Sequence, residues 1–161
     1  MSCRNLPIAA LLFALPLAVQ AAEPGTDETD GVGALWINPG FYAYHFQRDR
    51  HLNNRASGFG AEYQYSRTVA FTAGGYHNSN WGYSNYLGGY WRPLRLGPLR
   101  LGAVFGSVNG YPGTRHGGWF PAVLPTASVE YGRIGLNVFY IPSYQNSING
   151  SITFQLKFRL F

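Results

Sequence analysis

Apolar and polar residues alternate along most of this chain in short segments, and the alternation has the period of a strand. Leu35 to Asp49 sets Phe41, Ala43 and His45 on one face and Tyr42, Tyr44 and Phe46 on the other. After the polar loop RHLNNRAS, Ser57 to Tyr65 runs back, Ser66-Arg67 turns tightly, and Thr68 to His77 goes out again. Tyr83 to Trp91 follows, then PLRLGP as a turn, Leu99 to Val108, and a Gly/Pro/His loop to Gly118. The stretch FPAVLPTASVEYGRIGLNVFYIP, Phe120 to Pro142, reads as two strands about a Tyr131-Gly132-Arg133 turn. Gly150 to Phe161 is the last strand. The count is about eight, the smallest common size for a transmembrane β-barrel.

The connections alternate as well. Those after the second, fourth and sixth strands are short, and the others are longer and polar. Short periplasmic turns and longer outer loops give this pattern, which places both termini in the periplasm. The expected fold is therefore all-β, an eight-stranded antiparallel transmembrane β-barrel. Prolines punctuate the Phe120 to Pro142 hairpin at Pro121, Pro125 and Pro142. Proline gives no N–H to a ladder, so within a closed barrel these positions predict a gap in the wall.

The start of the chain sets the compartment. Arg4, the apolar run LPIAALLFALPLAV and the small residues around Ala21 form a secretory signal peptide over residues 1–21, too short for a membrane helix. A short polar leader spans 22–31, and the barrel 32–161. Cys3, the one cysteine, lies in the signal, so neither a disulfide framework nor a lipid-anchored cysteine is indicated.

Of the seven acids, four lie in the leader, which leaves Asp49, Glu62 and Glu130 against ten arginines and one lysine. A basic barrel suits an anionic lipid surface, with arginine presenting a fork to phosphate; arginines girdling the membrane rims are the simpler alternative. An exported chain without a basic run is not expected to bind nucleic acid. His51 and His116 stand in loops without metal-ligand spacing, so no metal site or other cofactor is expected.

PAVLPTASVEYG, then YIP, an Asn/Gly-rich loop and an aromatic strand, follows upstream features in a fixed order. These are Pro39 before His45, Gly58-Phe59-Gly60, Asn78-Ser79 and Trp91-Arg92-Pro93-Leu94. In that order and spacing the chain resembles the lipid A palmitoyltransferase (PagP) family. The resemblance implies a monomeric enzyme of the bacterial outer membrane that moves a palmitoyl chain from a phospholipid to lipid A and measures the chain in a pocket inside the barrel. It implies sideways lipid access at Pro39, Pro121, Pro125 and Pro142, and catalytic roles for His45, Ser79 and Asn78. The family's Asp-Ser pair stands here as Asn78-Ser79, its proline before the second strand falls near Ala56, and its leading amphipathic helix has no counterpart in AEPGTDETDG.

The chemistry agrees with that assignment. Acyl transfer needs a base for the attacking hydroxyl and donors for the developing oxyanion. His45 can serve as the base, Ser79 lies at the matching end of the third strand, and the Asn78 amide can orient an imidazole or donate to an oxyanion. Asp49 is a substitute acid and His77 a neighbouring imidazole, although a loop carboxylate between arginines and a rim histidine need no catalytic role. Gly74-Gly75 and Gly88-Gly89 fall mid-strand, where they either leave interior space or relieve curvature. Two alternatives stand beside this reading: a lipid A deacylase, whose late-strand His and Ser two apart are absent here, and a non-catalytic small outer-membrane barrel.

Overall fold

In a computed structural model, the structure describes residues 31–47, 51–143 and 149–161. The signal peptide, nearly all of the leader and Asp49 lie outside the described residues. Eight strands follow one another: β1 Leu35–His45, β2 Arg55–Gln64, β3 Val69–His77, β4 Tyr83–Leu96, β5 Leu99–Val108, β6 Phe120–Tyr131, β7 Ile134–Ile141 and β8 Ser151–Arg159. Each pairs antiparallel with its sequence neighbour, and β1 pairs with β8, so the sheet closes into a barrel. The seam holds to the last residues, where Leu160 N–H donates to Leu35 O and Leu35 N–H to Phe161 O. Closure pairs every strand with two neighbours along at least part of its length, the condition for a sheet to stand in hydrocarbon.

The alternation sorts the side chains inside out. Phe59, Phe71, Leu87, Trp91, Phe105, Val123 and the β8 series Ile152, Phe154, Leu156 and Phe158 all face outward and are exposed. Inward positions carry Asn38, Glu62, Gln64, Thr72, Arg92, Ser128, Asn137, Gln155 and Lys157, all buried. An apolar belt around a polar interior is the membrane-type arrangement. Two of the three short turns centre on Gly97-Pro98 and Gly132-Arg133, and each glycine takes φ +58°, which a two-residue hairpin of this hand requires.

Two strand expectations are corrected. β1 ends at His45 rather than Asp49. PLRLGP is not a turn as a whole: β4 runs through it to Leu96. Pro93 is absorbed where the β4·β5 register shifts between Trp91 and Leu94, so the missing N–H falls at a bulge and the ladder resumes.

Part of the basic balance is likewise inside rather than on the surface. Glu62 on β2 accepts from Arg92 Nη2 of β4 and from Lys157 Nζ of β8, each at 2.7 Å, while its second oxygen accepts from Asn137 Nδ2 of β7 at 2.9 Å. Lys157 also donates to Glu130 of β6 at 2.7 Å and lies 4.6 Å from the Trp36 ring centroid of β1. Arg92 reaches Gln64 at 2.8 Å and Ser128 at 2.7 Å, and Arg100 of β5 stands 3.5 Å from Glu130. Seven strands meet in this cluster, which fills the half of the barrel nearest the short turns. Burying these charges is tolerable only because each faces an opposite charge and further donors or acceptors.

Removing the Glu62 carboxylate would take from buried Arg92 its acidic partner and leave Lys157 with Glu130 alone. Glu62→Ala is expected to destabilise the barrel by about 3–5 kcal/mol. Glu130→Ala, whose side chain is 14 % exposed, is expected to cost less. Unfolding midpoints in detergent, with heat-modifiable gel migration, check both.

Candidate active site

Above the ionic cluster the interior changes character. Phe41, Tyr76, Tyr86, Tyr90 and Phe139 pack edge-on or tilted, with Phe41 to Tyr76 at 5.0 Å and Phe41 to Phe139 at 5.9 Å between centroids. Over this aromatic floor lies a cavity of about 210 Å³, lined largely by apolar groups that include Val104, Ala122, Leu124 and Ile141. The mid-strand glycines stand at close approaches to neighbouring atoms. Gly88 lies opposite Gly106 on β5 and lines the cavity. A Cβ on Gly60 or Gly74 would meet the Tyr86 hydroxyl, and on Gly74 the Phe59 carbonyl as well, so there the missing side chain makes room for a phenol and a neighbouring strand rather than for a ligand.

The cavity touches the interrupted part of the wall. β6 and β7 pair only from Thr126↔Phe139 to Tyr131↔Ile134. Phe120 to Pro125 remain paired to β5, from Val108↔Phe120 to Ala103↔Pro125, but have no partner on β7. β7 stays paired to β8 up to Ile141↔Ser151, and Pro142 follows directly. Pro121 and Pro125 both face outward on the unpartnered half of β6. The gap therefore has Pro125 and Pro142 at its margins, and Phe120, Ala122 and Leu124 on one flank and Ile141 on the other line the cavity behind it. Pro39 is placed differently. It lies at a bulge where β1 shifts register against both neighbours, the ladders resume beyond it, and Asn38 Oδ1 accepts the Gly40 N–H at 3.2 Å. Pro39 does not line the cavity.

His45 and Ser79 both line this cavity, at its long-loop end. The His45 ring is buried, and its Nδ1 lies 2.8 Å from Asn54 Oδ1. An amide oxygen only accepts, so Nδ1 is the donor of this bond, and in the neutral ring Nε2 then holds the lone pair a general base requires. The preceding residue, Asn53, fixes the other side. Its N–H donates to Ser79 O at 3.0 Å, and its Nδ2 donates to Asn78 O at 3.3 Å. The Asn53-Asn54 pair thus ties the imidazole to the loop that carries Ser79.

Asn78 is brought to the same loop but not to the imidazole. It is fully buried, and its side chain is saturated with bonds to its own turn, to β4 and to the β5–β6 loop. Nδ2 donates to Ser84 Oγ at 2.9 Å and to Gly110 O at 2.8 Å, and Oδ1 accepts from the N–H groups of Asn80 and Gly82, each at 3.0 Å. The amide bonded to the His45 imidazole is that of Asn54, not that of Asn78. His77 faces outward, with its ring edge-on to Tyr83 at 5.4 Å, away from the cavity. Sequence reasoning passed over Asn53 and Asn54 inside a polar loop; the signal available was two adjacent asparagines, residues that bond readily to nearby backbone. Among the described residues no cluster of His, Cys, Asp and Glu could hold a metal ion.

No family model matches the chain, and no curated protein sequence matches it. Among solved structures, the solution NMR structure of the de novo designed TMB2.3 is similar at a TM-score of 0.53 and 22% identity, over 82% of this chain and 98% of that one. The likeness supports the barrel fold and carries nothing about chemistry.

Asn78→Asp tests this assignment of roles. A carboxylate there would set an acceptor against the Gly110 carbonyl in place of a donor. The substitution is expected to destabilise the loop end by about 1–3 kcal/mol. Denaturant titration and limited proteolysis of the long-loop rim would check it; unchanged stability would contradict the clasp.

Proposed function

We propose that this barrel is an outer-membrane acyltransferase that moves a palmitoyl chain from a phospholipid to lipid A, with its long loops at the cell surface. One observation carries the reading: an apolar cavity closed below by aromatics and ion pairs, flanked by an unpartnered strand edge, and bearing a base-competent histidine at its upper end. A pocket that is mostly apolar with a few convergent polar groups suits one long acyl chain with its ester at the rim. The gap beside Pro125 and Pro142 supports lateral access from the membrane, since a lipid passing there breaks no ladder hydrogen bond.

The chemistry balances on residues at the rim. His45 Nε2 takes the proton of an acceptor hydroxyl as that oxygen attacks the phospholipid ester carbonyl. The new oxygen–acyl bond forms, the old ester C–O bond breaks, and the imidazolium returns the proton to the departing lysophospholipid oxygen. Ser79 is the candidate donor to the oxyanion. Asn54 acts through His45 as a positioning residue.

Mass spectrometry of lipid A from cells with and without the gene tests the activity. A palmitoyl-sized gain supports it, an acyl-sized loss turns the reading to a deacylase, and no change rejects both. His45→Ala is expected to lower transfer by about 10²–10⁴-fold without unfolding the barrel. Ser79→Ala should lower it less, and His116→Ala, on the exposed turn Arg115–Gly117, should leave it unchanged.

The gap has its own test. A disulfide engineered across Leu124 and Ile141, the positions that would face each other if the β6·β7 register continued, should stop transfer, and reduction should restore it. Full activity with the crosslink formed would rule out access there.

A further inference from the structure

A second concavity, of about 500 Å³, lies outside the wall at the long-loop rim of β2 and β3. Arg55, Ser57, His77, Trp81 and the Asn53-Asn54 pair line it, and among the described residues no acidic side chain does. The strand period explains the grouping. Inward positions of β2 are even-numbered, so Arg55 and Ser57 point out, and the β2·β3 register, with Gly58 opposite Tyr76, brings His77 beside Ser57 on the same outer face. The exposed Arg55 guanidinium forms no hydrogen bond or ion pair with any described residue.

Trp81 roofs this groove in a conformation that local preference would avoid. It has φ +63° and is 71 % exposed, although a bulky residue at positive φ is an outlier. Two bonds hold it there: Nε1 donates to His51 O at 2.9 Å and the backbone N–H to Asn78 O at 3.1 Å. Strain of this kind persists where the surroundings over-determine it, and it gathers at ligand clamps. Below the groove the outer face turns apolar, with Phe59 and Tyr83 exposed toward the membrane. The wall thus presents cationic and neutral donors at headgroup height and hydrocarbon-compatible surface beneath.

We propose that this outer groove binds the phosphate-bearing headgroup of a membrane lipid. Arg55 supplies a fork for phosphate oxygens, a ring N–H of His77 a second donor, and Trp81 an amphipathic roof at the interface. The lipid's chains run down the wall past Phe59. The inference goes beyond the acyltransferase reading, because the groove faces the membrane whether or not the barrel transfers acyl chains. The two sites share a wall: Asn53 lines both concavities, and Asn54 lines the groove while bonding His45.

The test uses the refolded full barrel in maltoside micelles, titrated with diphosphorylated lipid A in mixed micelles and read by the NMR signal of the His77 ring. A saturable shift is expected, with apparent affinity at least tenfold weaker in the double variant Arg55→Gln/His77→Gln, followed there by micelle co-migration. Trp81→Gly suits the left-handed backbone and removes the indole, so it should stay folded by heat-modifiable migration and bind several-fold more weakly. Equal binding of dephosphorylated lipid A, wild-type affinity in the folded variants, or an equal response to inorganic phosphate at the same concentration would each overturn the proposal, the last by pointing to a free anion.

Discussion

Backbone N–H and C=O groups have no water to turn to inside a bilayer, so a sheet that stands there must satisfy them within its own wall. Closure through β1·β8 meets that demand around the barrel and leaves the outer face free to be apolar. Seen against it, the half of β6 from Phe120 to Pro125 stands out. It keeps its ladder to β5 and has none to β7, and prolines stand where N–H groups would otherwise be left unmatched. Proline here lowers the cost of an opening by removing donors that would need partners.

The same constraint turns the chain's charges inward. A wall with an apolar exterior has only its lumen and its rims for polar side chains. Glu62, Arg92 and Lys157 occupy the lumen, and their mutual pairing knits strands distant in sequence. That cluster closes the turn end, and the aromatic floor above it separates it from the cavity. One half of the interior therefore gives stability, and the other gives space.

Space alone does not make a site. The upper half becomes chemically specific through two adjacent asparagines, one holding the His45 ring and the other holding the loop that bears Ser79. Because Asn54 is neutral, it sets the tautomer of the imidazole without adding a negative charge. The Asn78 amide is fully occupied in tying its loop to β4 and to the β5–β6 connection.

The sequence by itself determined the strand number, the inside-out alternation, the alternating loop lengths and the place of the β6–β7 interruption. These follow from period-two patterning and from proline's missing donor, both local properties of the chain. His45 and Ser79 are singled out by resemblance to a known family, and the fold brings both to one cavity. Only the tertiary structure decided which residues meet across the lumen. Glu62 and Lys157 are far apart in the chain and share an oxygen–nitrogen contact only because barrel closure brings β2 and β8 inward together. The same holds for Asn54 in place of Asn78 beside the imidazole, for Tyr86 over Gly60 and Gly74, and for the path of β4 through Pro93. Each depends on register between strands, and register is a property of the closed sheet rather than of any one segment.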